Sequence, residues 1–87
     1  MLLITYDLNR PGQDYDGLYE TIKELGTWWH HLDSTWLVDT QLTANMVVDR
    51  IRTKLDQSDR LLVTTVTSPY QGILTEDAWD WIREHID

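Results

Sequence analysis

The opening apolar run constrains the fold more than any other stretch of the sequence. Residues 2–6 read LLITY, all apolar or β-favouring, and the run stops at Asp7, after which Asn9 and Gly12 mark a turn. A continuous run of this length is typical of a central strand that is buried on both faces. The sequence therefore predicts a sheet built around this first strand.

The remaining elements follow in a recognisable order. Residues 14–26 carry apolar side chains at helical spacing, Thr43 is the predicted N-cap of a second helix, and Thr75 caps a terminal helix. Three further strands are predicted at 27–32, 34–40 and 60–67. The order β-α-β-β-α-β with an additional C-terminal helix is the α+β, ferredoxin-like split βαβ plan. We predict one such domain over residues 1–87.

Composition limits the classes of protein that remain. The chain has 87 residues, no cysteine and a formal net charge of −8. Disulfides and thiolate metal sites are therefore excluded, and the charge opposes non-specific attraction to nucleic acid, because phosphate contacts need local cations. No apolar run approaches the roughly 20 residues of a membrane span, and the N-terminal residues lack the pattern of a signal peptide. We expect a cytoplasmic protein with no membrane partner.

Three tryptophans in the second and third strands predict a partner. In the ferredoxin-like plan both helices of the repeat cover one face of the sheet, which leaves the other face open. Trp28, Trp29 and Trp36 supply more aromatic surface than one side of a small sheet buries, and a patch of that kind is usually covered by a partner. We expect a homodimer packed sheet against sheet, with base stacking on an open sheet, as in RNA-binding domains, as the other interpretation.

Asp7 and Ser34 each have two interpretations. Asp7 precedes an Asn-x-Pro-Gly turn, and aspartate at such a position commonly hydrogen-bonds to the loop backbone. It can equally be a ligand for a metal ion or a group that acts on phosphate, because hard carboxylate oxygens suit magnesium. Ser34, which follows Asp33, is either a turn residue or a phosphate contact.

The motifs around these two residues resemble a known family. A strand that ends in Tyr6-Asp7, a helix, and a hairpin that carries residues 33–36 (DSTW) are similar to the small ferredoxin-fold nuclease superfamily, which includes the small CRISPR-adaptation subunit and the VapD-type RNA interferases. The resemblance implies a homodimer in which the two copies of Asp7 meet and hold Mg²⁺ for phosphodiester cleavage. It also implies that Ser34 binds a phosphate or positions Asp7. Leu37 stands where an acidic residue often follows this motif.

Four residues are candidates for contacts with nucleic acid. Asn9 and Arg10 are close to Asp7 in sequence, and Arg50 and Lys54 share one helix face at i, i+4. For the last two, a solvated face paired with neighbouring acids is the other interpretation. The adjacent His30 and His31 would point to opposite faces of a strand, so the pair does not predict a zinc site.

Two function classes emerge from the sequence. The first is a homodimeric, magnesium-dependent endonuclease, endoribonuclease-like, that acts on RNA or DNA through Asp7 and Ser34. The second is a catalytically inactive, acidic module that binds a protein partner as an adaptor or inhibitor in a defence or counter-defence system. Its support is the terminal helix, where a single Arg83 is outnumbered by the acids Asp77, Asp80, Glu84 and Asp87.

Overall fold

A computed structural model describes residues 1–10, 12 and 14–86, so that Pro11, Gln13 and Asp87 lie outside the description. The described chain is an α+β protein with a four-stranded antiparallel sheet and three α-helices, which confirms the α+β part of the predicted fold. The elements in chain order are β1 (Leu2–Asp7), α1 (Asp16–Lys23), β2 (Thr27–Leu32), β3 (Thr35–Asp39), α2 (Ala44–Ile51), a 3-10 turn (Arg52–Lys54), β4 (Arg60–Thr65) and α3 (Glu76–His85).

The sheet has the strand order β2-β3-β1-β4, and every neighbouring pair is antiparallel. β1 is therefore a central strand, as its continuous apolar run predicts. None of the helices in the described residues is long and apolar enough to cross a membrane.

The larger core lies between the sheet and helices α1 and α2. Because side chains alternate across a strand, β1 directs Leu2, Ile4 and Tyr6 to this face, and all three are buried. Trp36 is the largest fully buried side chain, and its indole Nε1 donates a 2.9 Å hydrogen bond to the Tyr6 hydroxyl. This bond satisfies the polar end of an otherwise apolar ring, as a buried tryptophan requires.

A smaller core lies on the other face, beneath α3. It contains the buried side chains of Trp29, Leu37, Ala78 and Ile82. The Trp29 indole Nε1 donates to the backbone carbonyl of Ala78 at 3.1 Å, which ties the sheet to the helix. The second face is thus covered in part by the chain's own terminal helix.

This cover changes the expectation for the three tryptophans. Trp29 and Trp36 are 3% and 1% exposed, so their rings are already buried within one chain and retain almost no surface for a partner. The expectation overlooked that α3 covers the Trp29 ring, and that Tyr19 of α1 together with Trp28 and His30 of β2 covers the Trp36 ring. Trp28, 41% exposed, is the one of the three whose ring remains available.

Local sequence signals correctly predicted where two of the three α-helices begin. The hydroxyl oxygens of Thr43 and Thr75 accept hydrogen bonds from the backbone N–H groups of Met46 and Ala78, as predicted for N-caps. Helix α1 differs, because Tyr15 occupies its N-cap position and makes no side-chain cap bond.

Candidate functional site

Asp7 and Ser34 lie at the same end of neighbouring strands. Asp7 is the last residue of β1 and is exposed, and it pairs in register with Arg60 of β4. On the other side, the backbone N–H of Tyr6 donates to the Ser34 carbonyl at 3.1 Å. The fold therefore places Ser34 against Tyr6, the residue that precedes Asp7.

A shallow surface cavity of about 280 Å³ adjoins Asp7. Arg60 lines this cavity, and its guanidinium donates to the backbone carbonyls of Gln57 and Asp59 at 3.1 and 2.9 Å. These two bonds hold the guanidinium against the loop before β4, while the Arg60 backbone pairs with that of Asp7. The cavity is lined by Thr5, Tyr6, Asp7, Arg60, Leu61 and Leu62. Sequence reasoning missed Arg60, because only the β1–β4 pairing brings it to Asp7.

A second aspartate at this end of the sheet is buried. Asp59, 7% exposed, accepts hydrogen bonds from the backbone N–H groups of Asn9 and Asp56, both at 2.8 Å. The Tyr15 hydroxyl donates to both of its carboxylate oxygens, at 2.8 and 2.9 Å. We call Asp59 with Asn9, Tyr15 and Asp56 the Asp59 clasp, since it ties the loop after β1 to the loop before β4.

The clasp alters the acidity of its members. Burial tends to raise the pKa of Asp59, but the N–H donors of Asn9 and Asp56 and the Tyr15 hydroxyl outweigh it, and the pKa of Asp59 lies below its usual range. Burial and the hydrogen bond to Asp59 raise the pKa of Tyr15. Asp59 is thus held as a carboxylate by its donors, and Tyr15 as a neutral phenol.

Asn9 and Arg10, predicted as nucleic-acid contacts, take part in the same loop-to-loop connection. The Asn9 side-chain amide donates to the Ser58 carbonyl at 2.9 Å. Arg10 Nη1 lies 2.6 Å from Asp56 Oδ2, and its guanidinium lowers the pKa of Asp56. Much of the charge that Arg10 could offer to a phosphate is therefore balanced within the chain.

Arg50 and Lys54 lie away from the cavity beside Asp7. Arg50 is in the last turn of α2 and Lys54 ends the 3-10 turn, and both are exposed. Lys54 contributes, with Arg10, Asp14 and Asp56, to a different surface cavity of about 350 Å³. The structure does not join this pair to the cavity beside Asp7.

The adjacent histidines contact rings on opposite faces of β2. His30 stacks on Trp36 of the larger core, with ring centroids 3.8 Å apart, whereas His31 lies 5.0 Å from Trp29 of the smaller core. The predicted divergence of the two side chains is therefore confirmed.

The donor set at Asp7 fits magnesium only in part. Within the described residues, no three side chains of His, Cys, Asp or Glu come together as a metal-binding group. Asp7 supplies one carboxylate, and Mg²⁺ is commonly held by one or two carboxylates while it keeps several waters and contacts phosphate. One chain thus contributes half of the donor set that the resemblance implies, and a second copy of Asp7 would complete it.

Comparisons of the chain with protein-family models, with curated proteins and with solved structures found no match.

Proposed function

We propose that this protein is a homodimeric, metal-dependent nuclease with a ferredoxin-like fold. The observation that supports the proposal is the position of Asp7: an exposed carboxylate at the end of a central strand, with Arg60 on one side and the Ser34 turn on the other. The element order and the strand order β2-β3-β1-β4 agree with the ferredoxin-like plan.

The residues at this site have complementary roles in such a reaction. Asp7 from each of two chains would hold Mg²⁺, which when bound neutralises phosphate charge and lowers the pKa of a coordinated water. Arg60, already oriented by two backbone carbonyls, would bind a phosphate oxygen by a charge-assisted hydrogen bond. The Ser34 hydroxyl would contact the same phosphate or position the Asp7 carboxylate.

Cleavage of labelled RNA and duplex DNA tests the role of Asp7. We expect magnesium-dependent cleavage by the wild-type protein, and at least a hundredfold loss, on the order of 3 kcal/mol of transition-state stabilisation, in Asp7→Asn. Asp77→Asn, which removes an exposed acid from the first turn of α3, is the matched control and should keep full activity. Equal cleavage by Asp7→Asn and wild type would refute the proposal, as would a wild-type protein that sediments as a monomer.

The charge distribution favours a second candidate, an acidic module that binds a basic protein. The chain carries fifteen acidic residues and seven Lys or Arg, and three of those cations lie within 4 Å of carboxylates: Arg10, Lys23 and Arg83. An oligolysine peptide provides a simple probe. Salt-sensitive binding that weakens when Asp77, Asp80 and Glu84 are changed to their amides, together with no cleavage by the wild type, would favour this candidate over the nuclease.

A further inference from the structure

An aromatic surface niche lies on the opposite side of the sheet from α3. Trp28 and His30, two residues apart on β2, are both exposed. Trp36 forms the floor: the His30 ring stacks on it at 3.8 Å with 14° between the planes, and the Trp28 ring lies 5.4 Å away, tilted by 57°. The niche therefore has two exposed rings that a buried third ring holds in place.

Helix α1 completes the niche with a cation and a further ring. Lys23 Nζ lies 5.2 Å from the centroid of the Trp28 ring, and Tyr19 is stacked against Trp36 at 6.3 Å. The volume is about 330 Å³, within the range of sites that bind small planar ligands. We call this site, with Tyr19, Lys23, Trp28, His30 and Trp36 as its lining, the Trp28 niche.

We propose that the Trp28 niche binds one base of a single-stranded nucleic acid, an inference that rests on the proposed nuclease function. An exposed tryptophan offers a flat π-surface on which any base can stack. The Lys23 ammonium now lies over that ring in a cation–π contact, which at an exposed site is weaker than a base–aromatic stack. A base can therefore displace the ammonium.

Once displaced from the Trp28 ring, the Lys23 ammonium can form an ion pair with the ligand. Lys23 Nζ also lies 3.7 Å from a carboxylate oxygen of Glu20, whose side chain is 68% exposed, so solvent screens this pair and it holds the ammonium weakly. Once moved from the ring, Lys23 would pair with the phosphate of the stacked nucleotide. An apolar peptide side chain would gain nothing from the cation, so the combination favours a charged, planar ligand.

The position of the niche sets the length of ligand required. Trp28 pairs with Val38, which pairs with Leu2, and the Trp36 floor pairs with Ile4 in the middle of β1. Asp7 ends β1 and alternates with Tyr6, so its side chain projects from the other face of the sheet. Strand dimensions put Trp28 about 20 Å from Asp7 along the sheet. A nucleic-acid strand that contacts both sites must pass around the edge of the sheet, so the stacked base belongs to a nucleotide several positions from the bond at Asp7, and a probe of twelve nucleotides is long enough to do so.

Binding measured without metal tests this site independently of cleavage. We would titrate a fluorescently labelled twelve-nucleotide single-stranded RNA in EDTA and follow its anisotropy. Trp28→Leu should weaken the affinity by about tenfold, the loss expected for one base stack, whereas Trp28→Phe keeps a ring and should bind almost as the wild type does. Trp81→Leu is the matched control, because Trp81 also stacks on a histidine, His85, but lies on the α3 side.

The salt dependence isolates the role of Lys23. Lys23→Gln should reduce the slope of log affinity against log salt by about 0.7, the value for one phosphate contact on a single strand, and Arg83→Gln on α3 should leave it unchanged. Equal affinity of Trp28→Leu and wild type, or equally tight binding of an abasic strand, would overturn the proposal. RNA binding that depends on Trp28 in a protein that fails to cleave would refute the nuclease and retain the niche.

Discussion

Asp7 and Asp59 lie at the same end of adjacent strands and have opposite surroundings. Asp7 closes β1 and pairs in register with Arg60, and Asp59 immediately precedes Arg60 on the neighbouring strand. Asp7 is exposed, whereas Asp59 is buried and accepts hydrogen bonds from three residues. Of these two neighbouring carboxylates, Asp59 therefore stabilises the structure, whereas Asp7 is exposed to solvent.

The hydrogen-bond donors around a carboxylate, more than its position in a strand, decide whether it stabilises the fold or stays available to a ligand. A buried charge is stable only where hydrogen bonds replace its water, and the loops on either side of Asp59 supply that replacement. An exposed carboxylate needs no such support and keeps its oxygens for a cation. Substitutions of Asp59, of Asp7 and of their neighbours test this difference.

The largest effect is expected from truncation of the buried aspartate. Asp59→Ala leaves the N–H groups of Asn9 and Asp56 and the Tyr15 hydroxyl without their acceptor, and should lower the free energy of unfolding by about 3 kcal/mol. Asp7→Ala should change it by less than about 0.5 kcal/mol, as for an ordinary surface position. Urea unfolding followed by circular dichroism measures both. Equal losses in the two variants would contradict the division of tasks.

A smaller effect should appear in the pH dependence of stability. Because the pKa of Asp59 is lower in the folded chain than in the unfolded one, its contribution is present above the unfolded value of about 3.9 and is lost as the pH falls through the folded value. The difference in urea midpoint between wild type and Asp59→Asn should therefore shrink between pH 5 and pH 2. A difference that stays constant over this range would show that Asp59 does not stabilise the fold as a carboxylate.

Removal of one donor from the clasp should cost less than removal of its acceptor. Tyr15→Phe deletes the hydroxyl that bonds both oxygens of Asp59 and leaves the two backbone donors in place. We expect a loss of stability smaller than that of Asp59→Ala. Tyr70→Phe, which removes the hydroxyl of an exposed tyrosine and keeps its ring, is the control and should have less effect in the same urea experiment.

The smallest effect is expected at the exposed ion pair. Arg10→Gln removes the partner of Asp56, but the Arg10 side chain is 59% exposed, and ion pairs in that setting contribute little. The urea midpoint should change by close to the error of the measurement at physiological salt. A large loss would mean that Arg10 belongs to the buried clasp and not to its solvated rim.

Sequence reasoning located the elements that depend on local signals. The central strand followed from LLITY, and the caps at Thr43 and Thr75 followed from hydroxyl residues placed before apolar stripes. These features need only short stretches of chain and one topology.

It could not locate features that depend on distant pairs. Asp59 bonds Asn9 and Tyr15 from 50 and 44 residues away, and the local signal, two aspartates three residues apart in a turn, looked like ordinary loop chemistry. The burial of the Trp29 ring depends on where α3 packs against the sheet, which no local pattern specifies. Arg10 was assigned to a phosphate because it is close to Asp7 in sequence, and its ion pair was missed because its partner, Asp56, lies in another loop.

The unequal cores on the two faces of the sheet imply an order of opening. Among the described residues, ten are buried in the cluster beneath α1 and α2 and four in the cluster beneath α3. Segments with few buried contacts open at the lowest free-energy cost. The terminal helix should therefore detach while the rest of the sheet stays folded, and its amide protons should exchange before those of β1. Each such excursion uncovers Trp29 and Leu37, so the indole of Trp29 is an intrinsic fluorescent reporter of the first step in unfolding.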